Sequence, residues 1–89
     1  MTDTSVETVR EYILDRVSDG LAAKGLERSS IDDSFDLLLE GMIDSFGILE
    51  LLSVLEQRFY VTIDATEVDV EVLTTLGPLS RHVASLVPG

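Results

Sequence analysis

The chain has no cysteine, no tryptophan and only two prolines, and its 6 basic residues face 17 acidic ones. Without cysteine there is no disulfide and no thiolate nucleophile, and the lone histidine, His82, cannot build a zinc site by itself. The absence fits a reducing compartment. Aromatic residues make up 6% of the chain, so the core has to come from leucine, valine and isoleucine. The shortage of lysine and arginine leaves a formal net charge of -11. Such a chain repels phosphate backbones, which disfavours nucleic-acid binding. Its field instead speeds encounter with basic protein surfaces, although acidity also serves solubility. No apolar run approaches the ~20 residues needed to span a bilayer, so no membrane insertion is expected. The start, Met1-Thr2-Asp3-Thr4-Ser5, is polar and acidic and lacks the basic flank and apolar stretch of a secretory signal. Together these features predict a soluble, cytoplasmic monomer.

What is present is a hydrophobic fraction of 45% in 89 residues, enough for one domain spanning residues 1–89. The dominant signal is helical periodicity. Thr4 is placed to cap a first helix, with Glu7 at the capping-box position. Val6, Val9, Ile13 and Val17 fall on one stripe of it. Gly20 weakens this helix and Gly25 ends it. Residues 26–43 have no sustained period. Ser29, Ser30, Asp32, Asp33 and Ser34 are turn formers, and Phe35, Leu37, Leu38 and Leu39 are expected to pin the long loop to the core. Asp44 or Ser45 opens a second helix that runs to about Phe59, with Ile48, Leu51, Leu52, Leu55 and Phe59 facing inward. Tyr60-Val61-Thr62-Ile63 alternates but has no strand to pair with, and is expected to be an extended connection. Thr66 is expected to begin a short helix with Asp69 at its capping-box position. A last helix follows Thr75, with Leu76, Leu79, Val83 and Leu86 on one stripe and Pro78 in the first turn, where no N–H is lost. The expected fold is an all-α bundle of three main helices and one short one, with a long first loop.

Chemistry concentrates at Asp44-Ser45-Phe46. Aspartate and serine are favoured caps, so a purely structural role is the simplest explanation of the pair. A serine nucleophile needs a base and a group to orient it, and His82 on the last helix offers neither the motif nor a partner. Asp32, Asp33, Asp36 and Glu40 lack the alternation and central glycine of a calcium loop, so no metal site is expected, and no catalytic residue is assigned. A phosphodiester on Ser45, by contrast, would lie at the positive end of a helix beside free N–H groups, with Gly47 leaving the approach open. Asp44 opposes that charge, and makes sense as a feature read by a modifying enzyme or by its metal ion. Along the same helix, Phe46, Leu49, Glu50, Ser53, Glu56 and Gln57 mix apolar groups with carboxylates as a contact surface does.

At these residues the chain resembles the acyl carrier protein family with its peptidyl and D-alanyl carrier relatives. Asp44-Ser45-Phe46, preceded by Gly41-Met42-Ile43, matches the Asp-Ser-Leu motif that opens that family's second helix. The similarity continues through Glu50-Leu51, Leu55-Glu56-Gln57-Arg58-Phe59, Val61-Thr62-Ile63 and Leu73-Thr74-Thr75-Leu76. The resemblance implies a four-helix acyl-carrier-like bundle in which Ser45 carries 4'-phosphopantetheine, attached from coenzyme A by a phosphopantetheinyl transferase. It implies that the chain is not an enzyme. The arm would hold an acyl or aminoacyl group as a thioester and present it to a loading enzyme and to downstream synthase or transferase enzymes. Those partners would dock through basic patches on Asp44, Phe46, Leu49, Glu50 and Glu56. The pathway would be of the polyketide, nonribosomal peptide or fatty-acid type. Phe46 stands where leucine is usual, and Asp64 where many fatty-acid carriers have proline. Gly41-Met42-Ile43 looks more like D-alanyl, peptidyl or specialised polyketide carriers.

The residues also admit a rival of another class: an unmodified acidic helical adaptor that uses the Phe46, Leu49, Glu50 and Glu56 face to bind a basic protein.

Overall fold

Helix α1 (Val6–Arg16) is capped by Ser5, whose hydroxyl oxygen accepts the Thr8 N–H at 3.2 Å. The structure, a computed structural model, describes residues 5–87. The expected cap Thr4 and the terminal Pro88-Gly89 lie outside the described residues, and the cap function falls one position later, to Ser5. Val9, Ile13, Leu14 and Val17 are buried as one stripe, while Val6 is partly exposed. The single first helix expected from the periodicity is divided at Val17, and α2 (Ser18–Ala23) follows at once. The reason is local. The Ser18 hydroxyl donates to the Asp15 carbonyl at 2.9 Å, and serine bonded back to the preceding turn bends a helix. Gly25, at φ 70, ends α2 as expected. Its N–H donates to the Ala22 carbonyl and the Leu26 N–H to Leu21, the paired bonds of a left-handed glycine terminus.

The long first loop is fastened at several points. It begins with a 3-10 turn, Arg28–Ser30. Arg28 donates to Asp15 Oδ1 at 2.6 Å and to Glu11 Oε1 at 2.9 Å, tying that turn to α1. Asp33 takes Arg10 from α1 at 3.3 Å and Arg81 from the last helix at 3.2 Å. Ile31 and Leu37 are buried, and Phe35 and Leu38 half-buried, as the loop's apolar residues required. Leu39 departs from that expectation at 83% exposed. Asp36 Oδ1 accepts the N–H groups of both Leu38 and Leu39, and this side-chain turn carries Leu39 outward. The loop then crosses the later helices: the Leu37 N–H donates to the Thr74 carbonyl at 2.8 Å, and the Leu76 N–H to the Phe35 carbonyl at 2.9 Å.

Helix α3 (Ser45–Phe59) buries Ile48, Leu51, Leu52, Leu55 and Phe59, the face the spacing required. It ends on Tyr60 in the left-handed conformation. Val61 and Ile63 are buried and Thr62 is exposed, so residues 61–63 form a connection without regular secondary structure in which burial alternates, and Tyr60, expected at its start, is instead the left-handed C-cap of α3. The short helix begins later than Thr66. Asp64 Oδ1 accepts both the Thr66 N–H at 3.0 Å and the Thr66 hydroxyl at 2.6 Å, which commits Thr66 to a turn. Asp69 is instead the N-cap residue of α4 (Val70–Thr74). Helix α5 (Leu76–Leu86) buries Leu76, Leu79 and Val83 completely and packs against α1. All these apolar faces meet in one core, inside an all-α bundle with three long helices.

Candidate functional site

Asp44 is the N-cap of α3. Its Oδ1 accepts the Gly47 N–H at 2.7 Å, and its carbonyl accepts the Ile48 N–H at 2.9 Å. Capping therefore belongs to Asp44, and Ser45, the first residue of the helix, is exposed with its hydroxyl released from that duty. The N–H groups of Ser45 and Phe46 have no helical acceptor at this end, as the first turn of any helix dictates. Together with the helix dipole they make the surroundings of Ser45 favourable for an anion.

The approach to Ser45 is shaped by the end of the long loop. Gly41, at φ 74, turns the chain in a conformation that side chains resist. The N–H groups of Met42 and Ile43 then both donate to the Leu37 carbonyl, at 2.9 and 3.2 Å. An open groove of about 620 Å³ results, lined by Leu38, Gly41, Met42, Ile43, Asp44, Ser45 and Gly47. Met42 and Ile43 were legible in the sequence only as neighbours of the motif. Leu38, half-buried and bonded through its N–H to Asp36 Oδ1, lines the groove as well as pinning the loop.

On the outer side of α3, Phe46 is 73% and Leu49 61% exposed, and Glu50 is exposed beside them. The structure brings these three together next to Ser45. Glu56 is placed differently. It is half-buried, and its Oε2 accepts the Ile63 N–H at 2.7 Å, which anchors the connection after α3. His82 lies on α5, half-buried, and is not among the residues that line the groove. Among the described residues no cluster of His, Cys, Asp or Glu could hold a metal ion. No helix among them is long and apolar enough to cross a membrane.

The longest helix among the described residues thus begins with an exposed serine beside an open groove, in surroundings favourable for an anion. A family model described as "Phosphopantetheine attachment site" matches residues 11–83. The chain belongs to this family, and its cofactor is covalently attached phosphopantetheine. Carrier proteins of the family are not themselves enzymes; they work with a phosphopantetheinyl transferase and with loading and synthase enzymes.

The D-alanyl carrier protein of Bacillus subtilis (strain 168) is 35% identical over 51 residues, 57% of this chain and 65% of that protein. That of Bacillus velezensis is 47% identical over 34 residues, covering 38% of this chain and 44% of its own length. That of Bacillus pumilus is 36% identical over 47 residues, covering 53% and 60%. The chain thus matches less than two thirds of the length of each of these relatives. No solved structure matches it.

Proposed function

We propose that Ser45 is the attachment point, and that the protein carries an acyl or aminoacyl group as a thioester on 4'-phosphopantetheine joined to that hydroxyl. The observation that supports this most directly is the exposed Ser45 hydroxyl at the first position of α3, with capping assigned to Asp44. In the transfer from coenzyme A, Ser45 Oγ gains a bond to phosphorus and the hydroxyl proton leaves. The phosphoanhydride bond of coenzyme A breaks, and adenosine bisphosphate departs. Asp44 is held rigidly by its cap bond beside this oxygen, where the transferase and its magnesium ion can read it.

Among possible cargoes, an aminoacyl group has the support of the relatives' name, D-alanyl carrier protein. A biosynthetic pathway of polyketide, nonribosomal peptide or fatty-acid type is the wider setting, in a cytoplasmic compartment that suits a cysteine-free chain. The enzymes that load and unload the arm dock on Asp44, Phe46, Leu49 and Glu50, where a net charge of -11 favours basic partner surfaces. Glu56 contributes charge to the same helix from its edge.

The deciding experiment is intact mass after incubation with coenzyme A, magnesium and a broad-specificity phosphopantetheinyl transferase. One phosphopantetheine increment on the wild type and none on Ser45→Ala is the expected result. No increment under conditions that convert a known carrier would overturn the assignment, and would leave the acidic adaptor in its place.

A further inference from the structure

We propose that Lys24, the single lysine of the chain, is an acyl-acceptor site. An acyl or aminoacyl group held as a thioester on the arm passes to its amine and stays there as an amide. The proposal rests on Ser45 being the attachment point.

The surroundings of Lys24 set it apart from the other cations. Arg10, Arg28 and Arg81 are each paired with carboxylates. Among the described residues Lys24 makes no ion pair, although the chain carries 17 acidic residues. Its Nζ donates instead to the main-chain carbonyl of Glu40. Lys24 is exposed at the C-cap of α2, so this bond orients the amine without burying it. An amine that gives one hydrogen to a carbonyl still has its lone pair once it is neutral.

The place matters as much as the partner. A Cβ on Gly41 would lie 3.6 Å from Lys24 Nζ, and Gly41 lines the same open groove as Ser45. The four residues of chain from Gly41 to Ser45 span at most about 14 Å when fully extended. The arm, from phosphorus to sulfur, has as many bonds as about four residues of extended backbone. A thioester at its tip therefore reaches Lys24 from Ser45, whatever path the arm takes between them.

The residue type decides the chemistry. Arginine stays charged and is no nucleophile, whereas a lysine amine attacks carbonyl groups. The tether makes the attack intramolecular, at an effective concentration that free amines in solution do not match. The ammonium first gives up a proton to water. Its nitrogen then bonds to the thioester carbon, the C–S bond breaks, and one amine proton ends on the departing sulfur by way of water. The products are an amide at Lys24 and an arm with a free thiol, ready to be loaded again. A group that no partner collects is thus cleared from the arm, once per chain, since there is no second lysine.

The test starts from the protein incubated with acetyl-coenzyme A, magnesium and a broad-specificity transferase, then freed of both reagents. Hydroxylamine, which cleaves thioesters and spares amides, is added at intervals, and the products are mapped by mass. Wild type should accumulate a hydroxylamine-resistant acetyl group on Lys24 while its arm returns to the thiol. The rate should not change with protein concentration. Lys24→Arg should gain the arm as fully as wild type, lose the resistant acetyl group, and keep its thioester longer. Ser45→Ala, treated alike, should leave Lys24 bare. Thioester lost to hydrolysis with Lys24 unmodified would overturn the acceptor site and leave the attachment intact. So would acetyl groups on the amino terminus instead, equal acetylation of Lys24 in Ser45→Ala, or a rate that rises with protein concentration. A wild-type sample that gains no phosphopantetheine mass overturns both.

Discussion

The Asp44 carboxylate spans Ser45 and Phe46 to accept the Gly47 N–H at 2.7 Å. This bond lets the neighbouring serine be displayed without weakening the helix it begins. The two residues are therefore separable. Ser45→Ala should abolish modification and leave the melting temperature nearly unchanged. Asp44→Ala should cost about 1 kcal/mol of stability through the lost cap. Asp44→Asn keeps the capping oxygen, so it should restore most of the stability while leaving transferase turnover reduced. Urea denaturation and transferase kinetics on the three variants check the pattern.

Glu50 and Glu56 are both acidic residues of α3, but Glu50 is exposed whereas Glu56 is half-buried and accepts the Ile63 N–H. Glu50→Lys should slow association with a basic partner and leave folding intact, because an exposed charge acts mainly on encounter. Raising salt should weaken that association, since exposed charges are screened beyond about 10 Å at 0.1 M. Glu56→Ala should destabilise the fold by about 1–3 kcal/mol, because it strands the half-buried Ile63 N–H. Stopped-flow association and chemical denaturation distinguish the two. Equal effects of both substitutions on stability would contradict this division.

At the junction of the long loop and α5, a Cβ on Gly77 would lie 2.5 Å from Asp33 Cβ. Gly77→Ala has to separate the two segments, which costs the Gly77 N–H bond to the Asp33 carbonyl at 2.9 Å. Overpacking of this kind typically costs about 1–3 kcal/mol. Thermal unfolding of Gly77→Ala should show the loss, and a melting temperature equal to wild type would refute the close approach.

The Asp64 carboxyl is held below its ordinary value of 3.8, first by the Thr66 hydroxyl and then by the Thr66 N–H. These bonds favour the charged form in the folded protein. Their stabilisation is therefore present above the unfolded value and is lost as pH falls through the folded one. Thr66→Val removes the hydroxyl donor and should move the Asp64 midpoint back up towards 3.8. Carbon-detected NMR titration of the carboxyl group measures the shift directly.

The start of α3 was legible because its rules are local. Asp44 and Ser45 announced a helix start, and a capping bond between residues three apart needs no knowledge of the rest of the fold. The inward face of α3 followed from spacing alone, down to Phe59. Local rules misled where two side chains competed for the same task. Thr66 has the chemistry of a cap, but Asp64 takes its hydroxyl and N–H, and α4 starts at Val70. A different local bond, from the Ser18 hydroxyl to the Asp15 main-chain carbonyl, lies where the first helix is divided, although its apolar stripe continues from Val9 to Val17.

The sequence by itself determined an acidic, cysteine-free helical chain with Ser45 at the mouth of α3, because composition, periodicity and capping act within a few residues. Only the tertiary structure decided which side of that serine is walled and which is open. Leu37 bonded to Thr74, Met42 set against Gly20, and Glu56 bonded to Ile63 join residues from 7 to 37 positions apart. Such contacts exist only once the loop has closed over the core, and no local pattern encodes them.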